Sequence, residues 1–174
     1  MSGAVLRYSL PRWRLTRWLA DAGLDVPPEI RVALIGSLYG TLPIFAGGVI
    51  NSLAVSFLIA WRIPTLPFML WCAFELVCCS IRLVVLIHAR RRAARGASTP
   101  TDLYLLLGVA WAAGIGAGTF LCLMSGDWVA ATLACLSAAA MVGGICFRNF
   151  AAPRMAGVMI GLTLGPCVLA TPFL

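Results

Sequence analysis

Long apolar runs, separated by short breaks that are polar or rich in arginine, dominate the hydrophobic pattern of this chain. Five runs are each long enough to cross a hydrocarbon core of roughly 30 Å as an α-helix. They lie at residues 32–61, 67–89, 101–125, 128–147 and 153–174. The pattern predicts an all-α, polytopic membrane bundle of about five transmembrane helices.

The first run is longer than a single crossing requires. About thirty residues make roughly 45 Å of α-helix, so this span must tilt, bend or begin outside the hydrocarbon core. Pro43 and the pair Gly47–Gly48 are the expected bending points.

Residues 1–31, which precede the spans, are basic and partly amphipathic. Between Pro11 and Ala20, tryptophan and leucine alternate with arginine. This pattern is typical of a short helix in the membrane interface, with its aromatic rings at headgroup level. A solvated basic tail is the alternative. We therefore divide the chain into a cytoplasmic or interfacial segment (1–31) and a transmembrane bundle (32–174).

Two sequences between the spans predict helix starts. Thr99-Pro100-Thr101-Asp102 combines a capping residue, a proline at the first helical position and an acid in the first turn. Asp127, after Gly126, is expected to cap the fourth span.

The composition agrees with a membrane chain. Of the 174 residues, 61% are hydrophobic and only 11% are charged, and the mean hydropathy is +0.97. A soluble domain carries about a quarter charged residues. The net charge of +7 would suggest nucleic acid in a soluble protein. Here all basic residues are arginines placed between apolar blocks, so we expect them to orient the spans and to contact anionic lipid headgroups instead of nucleic acid.

The arginines are distributed unequally over the two sides. Eleven fall in the N-terminal segment, the second loop and the fourth loop, whereas the first loop has one and the third has none. The positive-inside rule then predicts a cytoplasmic N-terminus and, after five spans, an external C-terminus. The apolar ending at residues 169–174 favours a bundle that lacks a sixth span. The loop arginines that carry this topology signal are Arg90, Arg91, Arg92, Arg95, Arg148 and Arg154.

Glycines recur at fourth-residue spacing in several spans. This spacing puts small residues on one helix face, where another helix can approach closely. The predicted packing positions are Gly36, Gly40, Gly114, Gly118, Gly157, Gly161 and Gly165.

Glu75 and Arg82 are the only ionisable pair inside a predicted span. They lie seven residues apart on one helix face, roughly 10 Å along the axis. Arg82 leans toward Glu75, but Glu75 leans away, so a direct contact would be stretched. A water, a ligand or a polar group such as Asn51 could bridge the pair, or Glu75 could be neutral. The pair either senses or conducts a proton or small ligand, or it is a structural contact.

No enzyme site is visible in this segment. The seven cysteines lie in apolar runs without a C-x-x-C pair, and His88 is the only histidine. A zinc set or a bis-histidine haem cannot be assembled from these residues. Asn51 is expected to hydrogen-bond a neighbouring helix. We therefore predict no catalytic residues, no metal and no cofactor.

Two stretches resemble a known family. DVPPEIRVALIGSLYGTLPIFAGGVINSL (residues 25–53) and GGICFRNFAAPRMAG (residues 143–157) are similar to the N-terminal multi-span membrane region of bacterial diguanylate cyclases. In that family such a region precedes a cytoplasmic GGDEF domain. The resemblance covers most of residues 25–170, but no GGDEF sequence occurs in this chain.

The resemblance implies a sensory or anchoring region in a bacterial inner membrane. It would act as a homodimer and bias the dimerisation of an attached cyclase, with an unidentified ligand, if any. The full-length protein would then be a diguanylate cyclase. The alternatives are a bare anchor and a self-contained small membrane protein, such as a transporter or an assembly subunit. An open reading frame beyond the last codon would favour the first interpretation.

Overall fold

The computed structural model describes residues 8–22, 26–40 and 42–173. All regular structure within these ranges is helical, which confirms the all-α prediction. A short 3₁₀ turn, Thr171–Phe173, follows the last helix. The helices are α1 (Arg14–Leu19), α2 (Pro28–Ser37), α3 (Leu42–Arg62), α4 (Leu66–Ala94), α5 (Thr101–Met124), α6 (Trp128–Arg148) and α7 (Pro153–Ala170).

The helices α3 to α7 form the membrane bundle. By length and composition, each of these five is apolar enough to cross a membrane, the last together with the 3₁₀ turn. The chain is therefore a multi-pass membrane protein with five candidate spans. Helix α4 has 29 residues, roughly 44 Å. It includes Arg90–Arg92, which the sequence had suggested would lie in a loop.

The first predicted span is not one helix, which corrects its boundary. Helix α2 ends at Ser37, a turn occupies residues 38–40, and α3 begins at Leu42. The interruption precedes Pro43, the residue expected to bend the span. The ten residues of α2 extend roughly 15 Å, too short to cross the core. The first run was expected to tilt, to bend or to begin outside the hydrocarbon core. The structure shows the third arrangement, because α2 lies outside the candidate span α3.

The bundle has one end at which α3, α5 and α7 begin and α4 and α6 finish. We call it the arginine end, because the last turns of α4 carry Arg90, Arg91 and Arg92. At the opposite end, Arg62 forms an ion pair of 2.7 Å with Asp127. Asp127 accepts hydrogen bonds of 3.0 Å from the amides of Val129 and Ala130 and so caps α6 as predicted. The Ala130 amide, followed by Arg62, lowers the pKa of Asp127.

Thr99 does not cap α5, which corrects the predicted helix start. Pro100 occupies the N-cap position and makes no side-chain cap. The hydroxyl of Thr99 instead accepts a hydrogen bond of 2.9 Å from the amide of Ser9, and the amide of Thr99 donates one of 3.0 Å to the Ser9 hydroxyl. This reciprocal pair joins the N-terminal segment to the start of α5.

Helix α5 lies at the centre of the bundle. It packs against α4, α6 and α7, and also against α1. In the most apolar 18-residue stretch of α5, 56% of the residues are buried, against 22–39% in the corresponding stretches of the other spans. The side chains that α5 presents to its neighbours therefore define the interior.

Glycines of α5 allow α4 to approach closely. A Cβ atom added at Gly118 would lie 1.9 Å from Cε2 of Trp71, and one at Gly114 would lie 2.4 Å from Cε1 of Phe74. Such contacts are impossible without movement, so these two predicted positions are packing sites. Gly116, which had not been singled out, faces α7, and its added Cβ would lie 2.0 Å from the backbone oxygen of Leu162, an obstruction that cannot rotate away as a side chain can.

The other predicted packing glycines behave differently. Gly157, Gly161 and Gly165 have no described atom within 4 Å of an added Cβ, so the glycine stripe of α7 faces no helix of the described residues. At Gly36 and Gly40 an added Cβ would make only contacts of 3.5 and 3.4 Å. Close packing at these five positions is therefore absent within the described residues, and the approach of another helix there stays a prediction. Spacing reveals a small-residue stripe, but the rotation of the helix decides what the stripe faces.

Candidate functional site

The carboxyl group of Glu75 is completely buried between helices. The Ser52 hydroxyl donates a hydrogen bond to Oε2 of Glu75, while Oε1 has no hydrogen-bond partner. The same hydroxyl accepts a hydrogen bond of 3.3 Å from Nε1 of Trp111. Ser52 thus joins a residue of α4 to a residue of α5 from its place on α3.

Arg82 continues this chain of contacts. Its guanidinium lies 4.4 Å from the centroid of the Trp111 ring and 5.2 Å from that of Phe45. Only 5% of Arg82 is exposed, and its Nε is buried without a hydrogen-bond partner. Within the described residues, no ion pair joins Arg82 to Glu75. The expected stretched geometry is therefore present, and the two charges are connected through Ser52 and an aromatic ring.

Asn51 does not bridge the pair, although the sequence suggested it as one of three possible bridges. Its side-chain amide donates a hydrogen bond of 2.6 Å to the hydroxyl of Ser137 on α6. The expected hydrogen bond to a neighbouring helix is therefore present, but at a separate position.

Arg148, interpreted above only as a topology signal, is a buried residue of the site. It is 7% exposed, and its guanidinium lies 4.8 Å from the Phe45 ring centroid and 5.7 Å from that of Tyr104. Its Nη2 donates to the backbone oxygen of Leu38 at 3.2 Å and to the hydroxyl of Tyr104. Its Nη1 is buried without a partner. Sequence reasoning missed this role because an arginine at a helix end normally reaches the membrane surface.

Arg82 and Arg148 line the same cavity of about 60 Å³ at the arginine end. Its walls come from the first turns of α3, α5 and α7, from α4 and from the last turns of α6. Aromatic, methionine and glycine residues make up most of the wall. None of the described residues that line it is acidic. They are Ile44, Phe45, Gly48, Arg82, Tyr104, Gly108, Trp111, Met141, Gly144, Ile145, Arg148, Asn149, Met155 and Met159.

The three tyrosines of the chain form a column beside this cavity. Tyr8 stacks on Tyr39 with ring centroids 4.2 Å apart, and Tyr39 stacks on Tyr104 at 4.4 Å. The Tyr39 hydroxyl donates to the hydroxyl of Thr101 at 3.3 Å. Burial raises the pKa of Tyr39 to about 12. The column connects the N-terminal segment, the turn before α3 and the wall of the cavity.

The remaining topology arginines lie outside the cavity. Nη2 of Arg90 donates to the backbone oxygen of Tyr39 at 2.9 Å, which fixes the turn between α2 and α3. Arg91 and Arg95 are exposed. The remaining two also have polar partners: Arg92 donates to the Ser98 hydroxyl at 3.2 Å, and Arg154 forms an ion pair of 2.8 Å with Asp21.

The described residues contain no group of three or more histidine, cysteine, aspartate or glutamate side chains able to hold a metal ion. No family model, curated protein or solved structure matches the chain. The geometry of the cavity and its surroundings is therefore the basis for a functional interpretation.

Proposed function

We propose that this chain is the membrane-embedded sensory and anchoring region of a signalling protein. One observation carries the sensory part: three charged side chains, Glu75, Arg82 and Arg148, are buried in the bundle without an ion pair among them. Each charge inside a membrane helix costs at least about 2.5–3.5 kcal/mol on insertion scales. The contacts that these groups make between helices stabilise the bundle, but an anchor could be built from apolar packing at lower cost, whereas a sensor needs an interior that responds to a proton or ligand.

The response would pass through contacts that join separate helices. Ser52 on α3 bonds Glu75 on α4 and Trp111 on α5, and Trp111 stacks on Arg82. A change in the protonation of Glu75, or in what occupies the cavity, would alter the relative stability of two arrangements of these helices. Such a bias on a two-state element is the physical basis of signalling across a bundle.

The proposal for what the region regulates comes from the resemblance of its sequence to the membrane regions of diguanylate cyclases. We propose that the region regulates a cytoplasmic GGDEF domain that these 174 residues do not contain, and that it does so as a homodimer in a bacterial inner membrane. The arginine end would face the cytoplasm. The exposed Trp13, Trp18, Arg14 and Arg17 of the N-terminal segment would contact anionic lipid headgroups there.

The experiment is a measurement of cyclic di-GMP in cells that produce the intact natural protein. We expect Glu75→Gln to change the cyclic di-GMP level and its dependence on external pH, because the carboxyl can no longer ionise. Glu29→Gln, at an exposed acid of α2, is the matched control and should resemble the wild type. An unchanged level at every pH in Glu75→Gln contradicts sensing by this group.

A self-contained membrane protein, such as a transporter or an assembly subunit, is the second candidate. The observation that favours it is the cavity itself, because a transporter also needs a binding site among its helices. The nucleotide sequence beyond codon 174 separates the two proposals. A continuing frame that encodes a GGDEF domain supports the first, and a stop codon supports the second.

A further inference from the structure

Two guanidinium groups face one small cavity in which the charge is not balanced. Arg82 and Arg148 both lie against the ring of Phe45, at 5.2 and 4.8 Å from its centroid. Both are more than nine-tenths buried. No described lining residue is acidic, and the nearest candidate, Glu75, is bonded to Ser52 and forms no ion pair with either arginine. Buried like charges of this kind are strongly unfavourable unless something neutralises them.

The two arginines also have unused hydrogen-bond donors. Nε of Arg82 and Nη1 of Arg148 are buried and have no partner. Nearly all buried polar groups in proteins are hydrogen-bonded, so each exception calls for a partner. Nη2 of Arg148 already donates to the backbone oxygen of Leu38 and to the hydroxyl of Tyr104, so Nη1 needs a further acceptor. Because two guanidinium groups meet here, an acceptor that carries negative charge would offset their charge as well as accept the hydrogen bonds.

We propose that this cavity binds a single small oxyanion, a carboxylate or phosphate group. The planar guanidinium matches such groups through paired N–H donors and holds them more specifically than a simple point charge would. The volume of about 60 Å³ corresponds to roughly two molecules of liquid water, which suits one oxyanion group and excludes a large one. Phe45, Trp111 and Tyr104 support the guanidinium planes through cation–π contacts.

The anion has two possible sources. It can be a free anion, such as formate or inorganic phosphate, or it can be the phosphate of a lipid headgroup, because the cavity lies at the arginine end of the bundle. The recognising chemistry is the same. Binding is a property of the purified chain and does not depend on whether the region regulates a cyclase.

The experiment is a thermal-unfolding titration of the purified chain in maltoside detergent, at constant ionic strength kept with sodium chloride. Chloride is not an oxyanion and cannot accept paired N–H donors through two oxygens, so it controls for salt. Sodium formate, inorganic phosphate and short-chain phosphatidylglycerol are added separately. We expect the unfolding temperature of the wild type to rise by a few degrees and to saturate with at least one of them, because the native state alone binds the anion.

Three substitutions assign this effect to the cavity. Arg82→Gln and Arg148→Gln should each weaken the apparent affinity by about tenfold or more, whereas Arg91→Gln, at an exposed residue of α4, should leave it unchanged. Arg82→Gln also removes an unpaired buried charge. In chloride alone it should therefore unfold at the same temperature as the wild type or higher. Should it fail to fold, Arg82→Lys keeps the charge, lacks the planar fork and should show the same weakening.

The outcomes separate cleanly. Stabilisation by formate or phosphate indicates a free anion, and stabilisation by phosphatidylglycerol alone indicates a lipid headgroup; both support the site. Absence of stabilisation by all three overturns the proposal. An equal rise in the unfolding temperature of the wild type and of the cavity variants also overturns the proposal.

Discussion

Ser52 is the one residue that touches both neighbours in the buried polar chain. Its hydroxyl donates to Glu75 and accepts from Trp111, and 5% of the residue is exposed. A single oxygen atom therefore satisfies two polar groups that belong to two other helices.

We expect Ser52→Ala to lower the free energy of unfolding by about 1–3 kcal/mol, because it leaves a buried acceptor and a buried donor unpaired. Chemical denaturation in detergent measures the change. Ser56→Ala is the matched control: Ser56 is also buried on α3, but its hydroxyl bonds only the backbone of Leu53 in its own helix. Equal losses in the two variants would show that the contacts across helices contribute nothing.

Gly116 allows a close helix approach in the bundle, and the obstruction facing it is backbone. We expect Gly116→Ala to destabilise the protein by about 1–3 kcal/mol through overpacking, since the Leu162 carbonyl cannot rotate away. Thermal unfolding is the measurement. Gly161→Ala, on the open face of α7, should be nearly neutral. A large loss in Gly161→Ala instead would mean that the outer face of α7 packs against another molecule.

The residues of the site were only partly predictable. Glu75 and Arg82 stand out in any sequence, because charges within apolar runs are rare. Arg148 does not stand out in the sequence, because its burial depends on Phe45 and Tyr104, which come from two other helices. The tyrosine column was missed for the same reason. Sequence spacing predicts which residues share one helix face, but not which faces of different helices meet.

The N-terminal segment is held to the bundle by α5. Asp102, in the first turn of α5, accepts hydrogen bonds from the amides of Arg12 (2.9 Å) and Trp13 (3.1 Å) and from the hydroxyl of Thr16. It therefore ties the backbone just before α1, and the Thr16 side chain within it, to the start of α5, while α1 has no side-chain cap at its own N-cap, Trp13. The acid predicted to serve α5 serves a different helix.

We expect Asp102→Ala to loosen α1 from the bundle, because each lost hydrogen bond contributes about 0.5–1.5 kcal/mol. Hydrogen exchange at residues 12–20 should become at least several times faster. Asp127→Ala, which removes a cap at the opposite end, is the control and should leave these amides protected. Unchanged exchange in Asp102→Ala would mean that other contacts, such as the tyrosine column and the Ser9–Thr99 pair, suffice to hold the segment.

The break between α2 and α3 could not be predicted from hydropathy. Residues 32–61 are apolar throughout apart from a few small polar side chains, so the pattern cannot distinguish one helix from two. The turn is stabilised instead by arginines far away in the sequence. Arg148 binds the backbone oxygen of Leu38, and Arg90 binds those of Tyr39 and Gly40. Hydropathy located spans two to five without such contacts: their predicted positions agree with α4 to α7 within a few residues, although α4 continues through the arginines to Ala94.

At the scale of the whole molecule, the two ends differ in charge. Among the described residues, the far end has one arginine, Arg62, paired with Asp127, whereas the end of α4 and the loop after it carry Arg90, Arg91, Arg92 and Arg95. The positive-inside rule counts basic residues and gives little weight to acids, so this unequal number is the basis of the expected orientation.

We expect the arginine end to face the cytoplasm. A fluorescent-protein reporter inserted between residues 96 and 98 should fluoresce, and alkaline phosphatase inserted between residues 125 and 127 should be active, because each reporter works on only one side of the membrane. The reverse result would contradict the orientation. Exchanging the two reporters provides the control.

The tyrosine column has a practical consequence for spectroscopy. The chain has three tyrosines, and all of them stand in this one stack, so every tyrosine signal has a single origin. Burial raises the pKa of Tyr8, and it raises the pKa of Tyr39 to about 12. These phenols therefore ionise at higher pH while the stack is intact than after it opens, when they approach the ordinary pKa of about 10. The pH dependence of tyrosine absorbance therefore reports whether the N-terminal segment is docked, without an added label.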